Sequence, residues 1–556
     1  MNTQRITWLV AILLAFVAAA ACAQEDAPSE DPIDLMLGEV VDVNVVNLEV
    51  YVTDKKGNRV TGLTKDDFIL EHSGRPVAIT NFYEVRDGGV QGDLDLDLID
   101  VPDLPGREKR AVPEDQRLHL VVYVDNFNLH PFSRNRVFGH LRTFLRTRLR
   151  TGDKVMLVTY DRSLKQRVPF TGDPEIIAST LYDLEEISAH AVHHSSDRRD
   201  ILDAIYNAEN AIDVQGRAYT YVEGRFNDLS FSITALKEIV EGLAGLPGRK
   251  ALMYISDGVD LRAGEDIFYA MSDAFGETSY IMESFRYDLT RRYQELTAQA
   301  NANRVTFYSL DAAGLRTYSY IDVRNQTAGG GAQIDQTYFH NIQAPLRLIA
   351  DETGGRAVMN TNNWTPMLER IAEDFDNYYS IGYSPASAGS GRYHRLDVKV
   401  KERWLRVRHR EGYRDKSVER RMSESTLATL HYGYQRNDLD VALEFGRPTP
   451  DRNGHYSVPL AIRVPMDKIN FLPQEEMNRG RLRLTIAARD DDGGMSEVQD
   501  VTVPIDVPAT DEQQQSHWEY VINLQLRGGR MLVAVGVRDE IGAIDAYVSR
   551  GLNVGS

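Results

Sequence analysis

Two aspartates stand where an apolar strand runs out into a loop. Asp125 follows LHLVVYV (118–124), and Asp257 follows KALMYIS inside Ser256-Asp257-Gly258. Carboxylates so placed project into a polar crevice, where a hard cation takes oxygen ligands directly or through water. Asn126 and Asn128 add carbonyl oxygens, so Asp125, Asn128 and Asp257 form the candidate metal set, with a weakly held Mg²⁺ as the cofactor to expect. A second cluster is His190, His193 and His194 in AHAVHH. Imidazoles three and four residues apart share a helix face and suit transition metals. No HExxH and no carboxylate at fixed spacing accompanies them, so an exposed polar helix end is expected. The sequence also has no GxSxG, P-loop or CxxC pattern. The chain is therefore expected not to be an enzyme; a metal-dependent hydrolase using Asp125 and Asp257 or the histidines is the weaker alternative.

The elements that position these residues alternate. LHLVVYV is the near-continuous apolar run of a strand covered on both faces. Ser133 precedes a helix with Val137, Phe138, Leu141, Phe144, Leu145 and Leu149 at helical spacing, and KVMLVTY (154–160) is the next strand. Thr171-Gly172-Asp173-Pro174 opens a further helix, with Pro at its first turn. Later units are a helix through 236–246, strand 250–256, a helix near 280–302, strand 304–310, a helix around 341–353, RAVMN, a helix near 365–375 and NYYSIGY (377–383). Strands alternating with helices imply a doubly wound, mostly parallel sheet. In such a sheet ligands sit beyond the carboxyl ends of the strands, where Asp125 and Asp257 lie.

At 556 residues the chain is multidomain. Residues 1–23 read as a signal peptide, with an apolar run (6–21) ending in alanines. Residues 24–40 form an acidic tether, 41–86 a small β-rich domain with hairpin turns, 87–117 a linker, and 118–414 the α/β domain with a β extension. Residues 420–556, strands divided by turns such as Asp490-Asp491-Asp492-Gly493-Gly494, read as an immunoglobulin-like β-sandwich. The single cysteine, Cys22, excludes an intrachain disulfide. It is either a lipidated N-terminus after cleavage or is removed with the signal. The chain is thus expected to be exported (periplasmic, outer-membrane-associated or secreted), with no transmembrane helix once mature and with Cys22 as its candidate lipid anchor. The formal net charge of −19 argues against a nucleic-acid partner, since affinity for phosphates comes from Lys and Arg. The DLDLDLID alternation lacks the turn glycine and terminal Glu of a calcium loop and reads as a solvated strand or linker.

The apolar strand ending in Asp125 and the stretch LAGLPGRKALMYISDG resemble the von Willebrand factor A family, in particular its exported bacterial, acidobacterial-type branch. VYVTDKKGNRVTGLTKDDFIL before the α/β domain, and YYSIGYSP and WLRVRHREGY behind it, are similar to that branch too. The resemblance spans about 45–413 and implies a Rossmann-like sheet and a metal-ion-dependent adhesion site, written Asp-x-Ser-x-Ser with a Thr and a later Asp. Here Phe127 and Leu129 replace the two hydroxyls, and Thr220 is only a loose third candidate, so the adhesion site is degenerate. Residues 214–232, 259–279 and 311–340 read as loops leaving the ligand edge. They carry Tyr219, Tyr221, Phe226, Phe268, Tyr269, Tyr318, Tyr320, Tyr338 and Phe339, large stiff side chains suited to a protein partner. A protein-interaction or adhesion-type function is expected, with a structural envelope assembly role as the alternative.

Overall fold

A computed structural model describes residues 46–91, 117–187, 191–316, 331–385, 389–451, 455–474, 477–508 and 516–555. The signal and tether segments, Cys22, DLDLDLID, His190, Tyr318 and Tyr320 lie outside them.

Strands β1 (Val46–Thr53), β2 (Phe68–His72), β3 (Arg75–Val77), β4 (Asn81–Arg86) and β5 (Gly89–Gln91) come first. Residues 89–91, expected in a linker, instead close a hairpin with β4. The α/β layer follows: β6 (Leu118–Asp125), α1 (Pro131–Arg148), β7 (Lys154–Tyr160), β8 (Leu164–Thr171), α2 (Pro174–Glu185), α3 (Ala191–Asn207), α4 (Ala211–Gly242), β9 (Arg249–Ser256), α5 (Glu265–Phe275), α6 (Ser279–Ser284), α7 (Thr290–Ala302), β10 (Val305–Asp311), α8 (Gly331–Glu352), β11 (Arg356–Val358) and α9 (Trp364–Asp376).

Their sheet has the order β11-β10-β9-β6-β7-β8, parallel except for β8, which folds back along β7. All eight residues of β6 are buried, as its apolar run requires. Alternate side chains go to opposite faces: Val121 and Tyr123 join the core under α3–α5 and α7–α8, while Leu120, Val122 and Val124 join the core under α1, α2 and α9. From β6 the chain winds outward to β8, then returns to place β9 on β6's other flank. The winding direction therefore reverses between β6 and β9, which opens a crevice beyond their carboxyl ends.

The strand expected to finish this sheet does not. β12 (Tyr378–Tyr383) pairs antiparallel with β1 and β4, β13 (Tyr393–Val400) with β2, and β14 (Arg406–Arg408) with β1. The first strands and residues 378–414 thus fold together, including β15 (Gly412–Arg414), around Leu48, Val50, Leu70, Ile381, Leu396 and Val398. Local pattern identifies a strand but not its partner. Residues after 414 open with a helix rather than a strand: α10 (Val418–Tyr432), capped by the Ser417 hydroxyl, which accepts from Arg420 N at 3.3 Å. It packs on the strands 477–490, 529–539 and 544–554. Two antiparallel sheets share a core of Val458, Leu460, Ile462, Leu482, Leu484, Val533 and Val535 in this C-terminal region.

Candidate functional site

The crevice floor is Asp125, fully buried at the end of β6. Its Oδ2 accepts from Tyr254 OH (2.7 Å), Asn128 Nδ2 (2.9 Å) and Ser256 Oγ (3.2 Å), and its Oδ1 from Asn128 N (3.3 Å). Burial holds this carboxyl above the usual carboxylate range although all these donors favour the charged form. Phe127 and Leu129 are buried on opposite faces of the sheet; Phe127 packs edge-on against Tyr160 and His194. The aromatic and the leucine are core plugs that close both sides of the turn.

The cation at this turn is an arginine. Arg225, projecting from α4, donates Nη1 to Asn128 Oδ1 (2.8 Å) and Nη2 to Asp260 Oδ1 (2.9 Å), and both side chains of the Arg225–Asp260 pair are nearly buried. Both oxygens of Asp125 and both ends of the Asn128 amide are consequently engaged within the protein. Among the described residues no group of three His, Cys, Asp or Glu side chains is placed to hold a metal. The expected set Asp125, Asn128 and Asp257 lies together at this edge, with the Arg225 guanidinium supplying a positive charge beside it. Thr220 does not reach the turn; it is exposed and donates to Gly216 O.

Asp257 stands apart from this network. Its Oδ2 accepts from His130 N and from His130 Nδ1, both at 2.8 Å, while its buried Oδ1 has no hydrogen-bond partner. Gly258 makes this turn possible: at φ +110° a side chain is strained, and a Cβ there would sit 3.0 Å from Ile342. A third carboxylate, Asp311, ends β10; Arg316 Nη2 spans its Oδ1 (2.8 Å) and the Asp257 carbonyl (2.6 Å). Asp311 ends an apolar strand as Asp125 does, so the same reading finds it. Arg225, Asp260 and His130 carry no comparable local signal.

The expected aromatic loops are helices. Tyr219, Tyr221 and Phe226 lie on α4, Phe268 and Tyr269 on α5, and Tyr338 and Phe339 on α8. Phe268 is buried between Tyr219 (5.5 Å) and Tyr287 (5.7 Å), Phe226 packs on Tyr287, and Arg198 lies over Tyr338 at 3.9 Å. Tyr221 and Tyr269 pack against the same core. Apolar area rather than recognition accounts for these rings. Of the histidines, His193 is exposed, whereas His194 turns inward onto Phe127. The exposed apolar residues at the edge are others: Phe132 at the start of α1 (78% exposed) and Leu315 after β10 (62%). Arg136 lies over Phe132 (5.7 Å) and donates to the carbonyls of Ala312 and Ala313.

No family model matches the chain, and no curated protein does. Solved structures with similar folds include an aerotolerance-related membrane protein from Bacteroides fragilis (12% identity, 47% of this chain and 98% of that one, TM-score 0.24). They also include BatB from Bacteroides thetaiotaomicron (10%, 47% and 98%, 0.21) and manganese-loaded TRAP from Plasmodium vivax (9%, 53% and 94%, 0.22). At these scores and identities the likeness carries no functional argument.

Proposed function

We infer that this is an exported, adhesion-type protein of von Willebrand factor A character, and that it recognises a protein partner at the carboxyl edge of its parallel sheet without using a metal. The observation that carries the reading is two large apolar side chains held out in solvent at that edge, Phe132 and Leu315, with Arg136 tying the Phe132 ring to the backbone at Ala312 and Ala313, two residues before Leu315. Apolar anchors surrounded by polar groups are how protein interfaces concentrate binding energy. The sequence resemblance supports the same edge. Among the described residues no helix is long and apolar enough to cross a membrane. In this reading Cys22, in the N-terminal segment, is the lipid-anchor candidate.

The test is capture from an envelope extract with the mature protein, with Phe132→Ser/Leu315→Ser, and with either in the presence of EDTA. Expected is a partner retained by the wild type, unaffected by EDTA and lost by the double variant at unchanged melting temperature. Equal retention by the variant overturns the reading. The assembly alternative predicts instead a mass that rises with protein concentration.

A further inference from the structure

We propose that Ser195, His130 and Asp257 form a nucleophilic site that takes acyl groups from carboxylic esters. The Asp257 carboxylate accepts from His130 Nδ1 at 2.8 Å, and His130 Nε2 lies 2.7 Å from Ser195 Oγ. With the carboxylate ionised, Nδ1 must carry the proton, which leaves the Nε2 lone pair facing the serine hydroxyl. This is the base–orienter arrangement that activates a serine, recognised by geometry and not by order in the chain. The same carboxylate oxygen accepts from the His130 backbone N–H, so ring and backbone are held by one group. Asp257 is 6% exposed, whereas the His130 side chain is 41% exposed and Ser195 is half-buried; the orienting group is shielded and the reacting pair is reachable.

Ser195 Oγ also lies 2.8 Å from the Ala191 carbonyl, the resting contact of a helical serine. Both acceptors are within reach of one oxygen, so rotating the O–H bond, with no movement of the side chain, transfers the hydrogen bond to Nε2. Phe132, two residues from His130, and Val192 (52% exposed), three from Ser195, offer apolar surface for an acyl chain. In the reaction Oγ bonds to the acyl carbon while its proton passes to Nε2. The ester C–O bond breaks, and the alcohol departs with that proton. Water, deprotonated by the same nitrogen, then adds to the acyl-serine; the carboxylic acid leaves, and Oγ recovers its proton.

This inference does not rest on the binding reading. Its test is labelling of the full chain with a biotinylated alkyl fluorophosphonate, in which an Oγ–P bond forms and fluoride leaves. Mass spectrometry is expected to place the adduct on Ser195, with none in Ser195→Ala and a labelling rate at least tenfold lower in His130→Ala and Asp257→Asn. Should either partner variant fail to fold, Ser195→Cys keeps the question open to test. Its new thiol, compared with Cys22 as the only other cysteine, is expected to react with iodoacetamide at least tenfold faster than an ordinary thiol, and alkylation at an ordinary thiol's rate would overturn the proposal. No adduct on Ser195, or labelling and alkylation indifferent to His130 and Asp257, overturns the proposal and leaves the three side chains as a bridge between α1 and α3.

Discussion

The two ends of the parallel sheet bury opposite charges and solve the problem differently. At the carboxyl end, aspartates follow the strands and each is met by a small set of donors: Asp125 by neutral hydroxyls and an amide, Asp260 by Arg225, Asp311 by Arg316 and Gln343. At the amino end the surplus is positive. Arg408 and Arg356 pair with the single carboxylate of Asp374 at 2.7 and 2.8 Å, and Arg59 stands 3.9 Å away. Lys250, almost fully buried, has the Leu246 carbonyl at 2.7 Å as its partner. The amino end is where the first β strands and residues 378–414 dock: Arg59 comes from one segment, Arg408 from the other, and Arg356 from the sheet itself. Cations there fasten distant segments around one carboxylate, while at the carboxyl end several carboxylates each have their own donors, with His130 and Phe132 reaching solvent.

The contrast breaks most sharply at Asp374. Asp374→Ala leaves three cations without their shared partner, and a loss of about 5 kcal/mol is expected in denaturant unfolding, the upper range for breaking a buried charge pair. Burial alone would raise this carboxyl, but Arg408, Arg356 and Arg59 hold it below its ordinary value. Its stabilisation is therefore present above about pH 4, the carboxylate range of the unfolded chain, and lost as pH falls through the lower folded value. An acid-unfolding midpoint unchanged by the substitution would refute this account.

Arg225→Ala removes one cation from one carboxylate. About 3 kcal/mol is expected, less than for Asp374→Ala because Asp260 keeps the Gly264 amide as a donor. Lys250→Met has the opposite sign. Burial holds the Lys250 amine well below its ordinary range, so the variant is expected to be about 1–2 kcal/mol more stable at neutral pH. The folded state binds fewer protons than the unfolded chain between the lowered and the ordinary lysine pKa. Wild-type stability thus rises with pH there, and the variant's advantage should shrink towards pH 10 in parallel melts. Phe132→Ser should change stability by less than about 0.5 kcal/mol, since the ring is mostly in water.

The smallest effect expected is that of Mg²⁺. A site with a Kd of about 1 mM would add about 1.4 kcal/mol at about 10 mM Mg²⁺. No shift of the thermal midpoint is expected in the wild type, and a shift of that size would restore Asp125 and Asp257 as metal ligands.

The alternation of strands and helices, the burial of β6 and the carboxylates at the strand ends were legible along the chain, because hydrophobic periodicity and turn residues are local quantities. The helix α4 was locally readable too: Val214, Ala218 and Val222 recur every four residues, masked by Gly216, Gly224 and a run of tyrosines. Long-range packing settles the rest: β12 leaves the parallel sheet for β1, Arg225 comes to Asn128 across 97 residues of chain, and His130 bridges Asp257 and Ser195, 127 and 65 residues away. Each of these depends on which buried surfaces and charges find one another in space, and no window along the chain contains both partners.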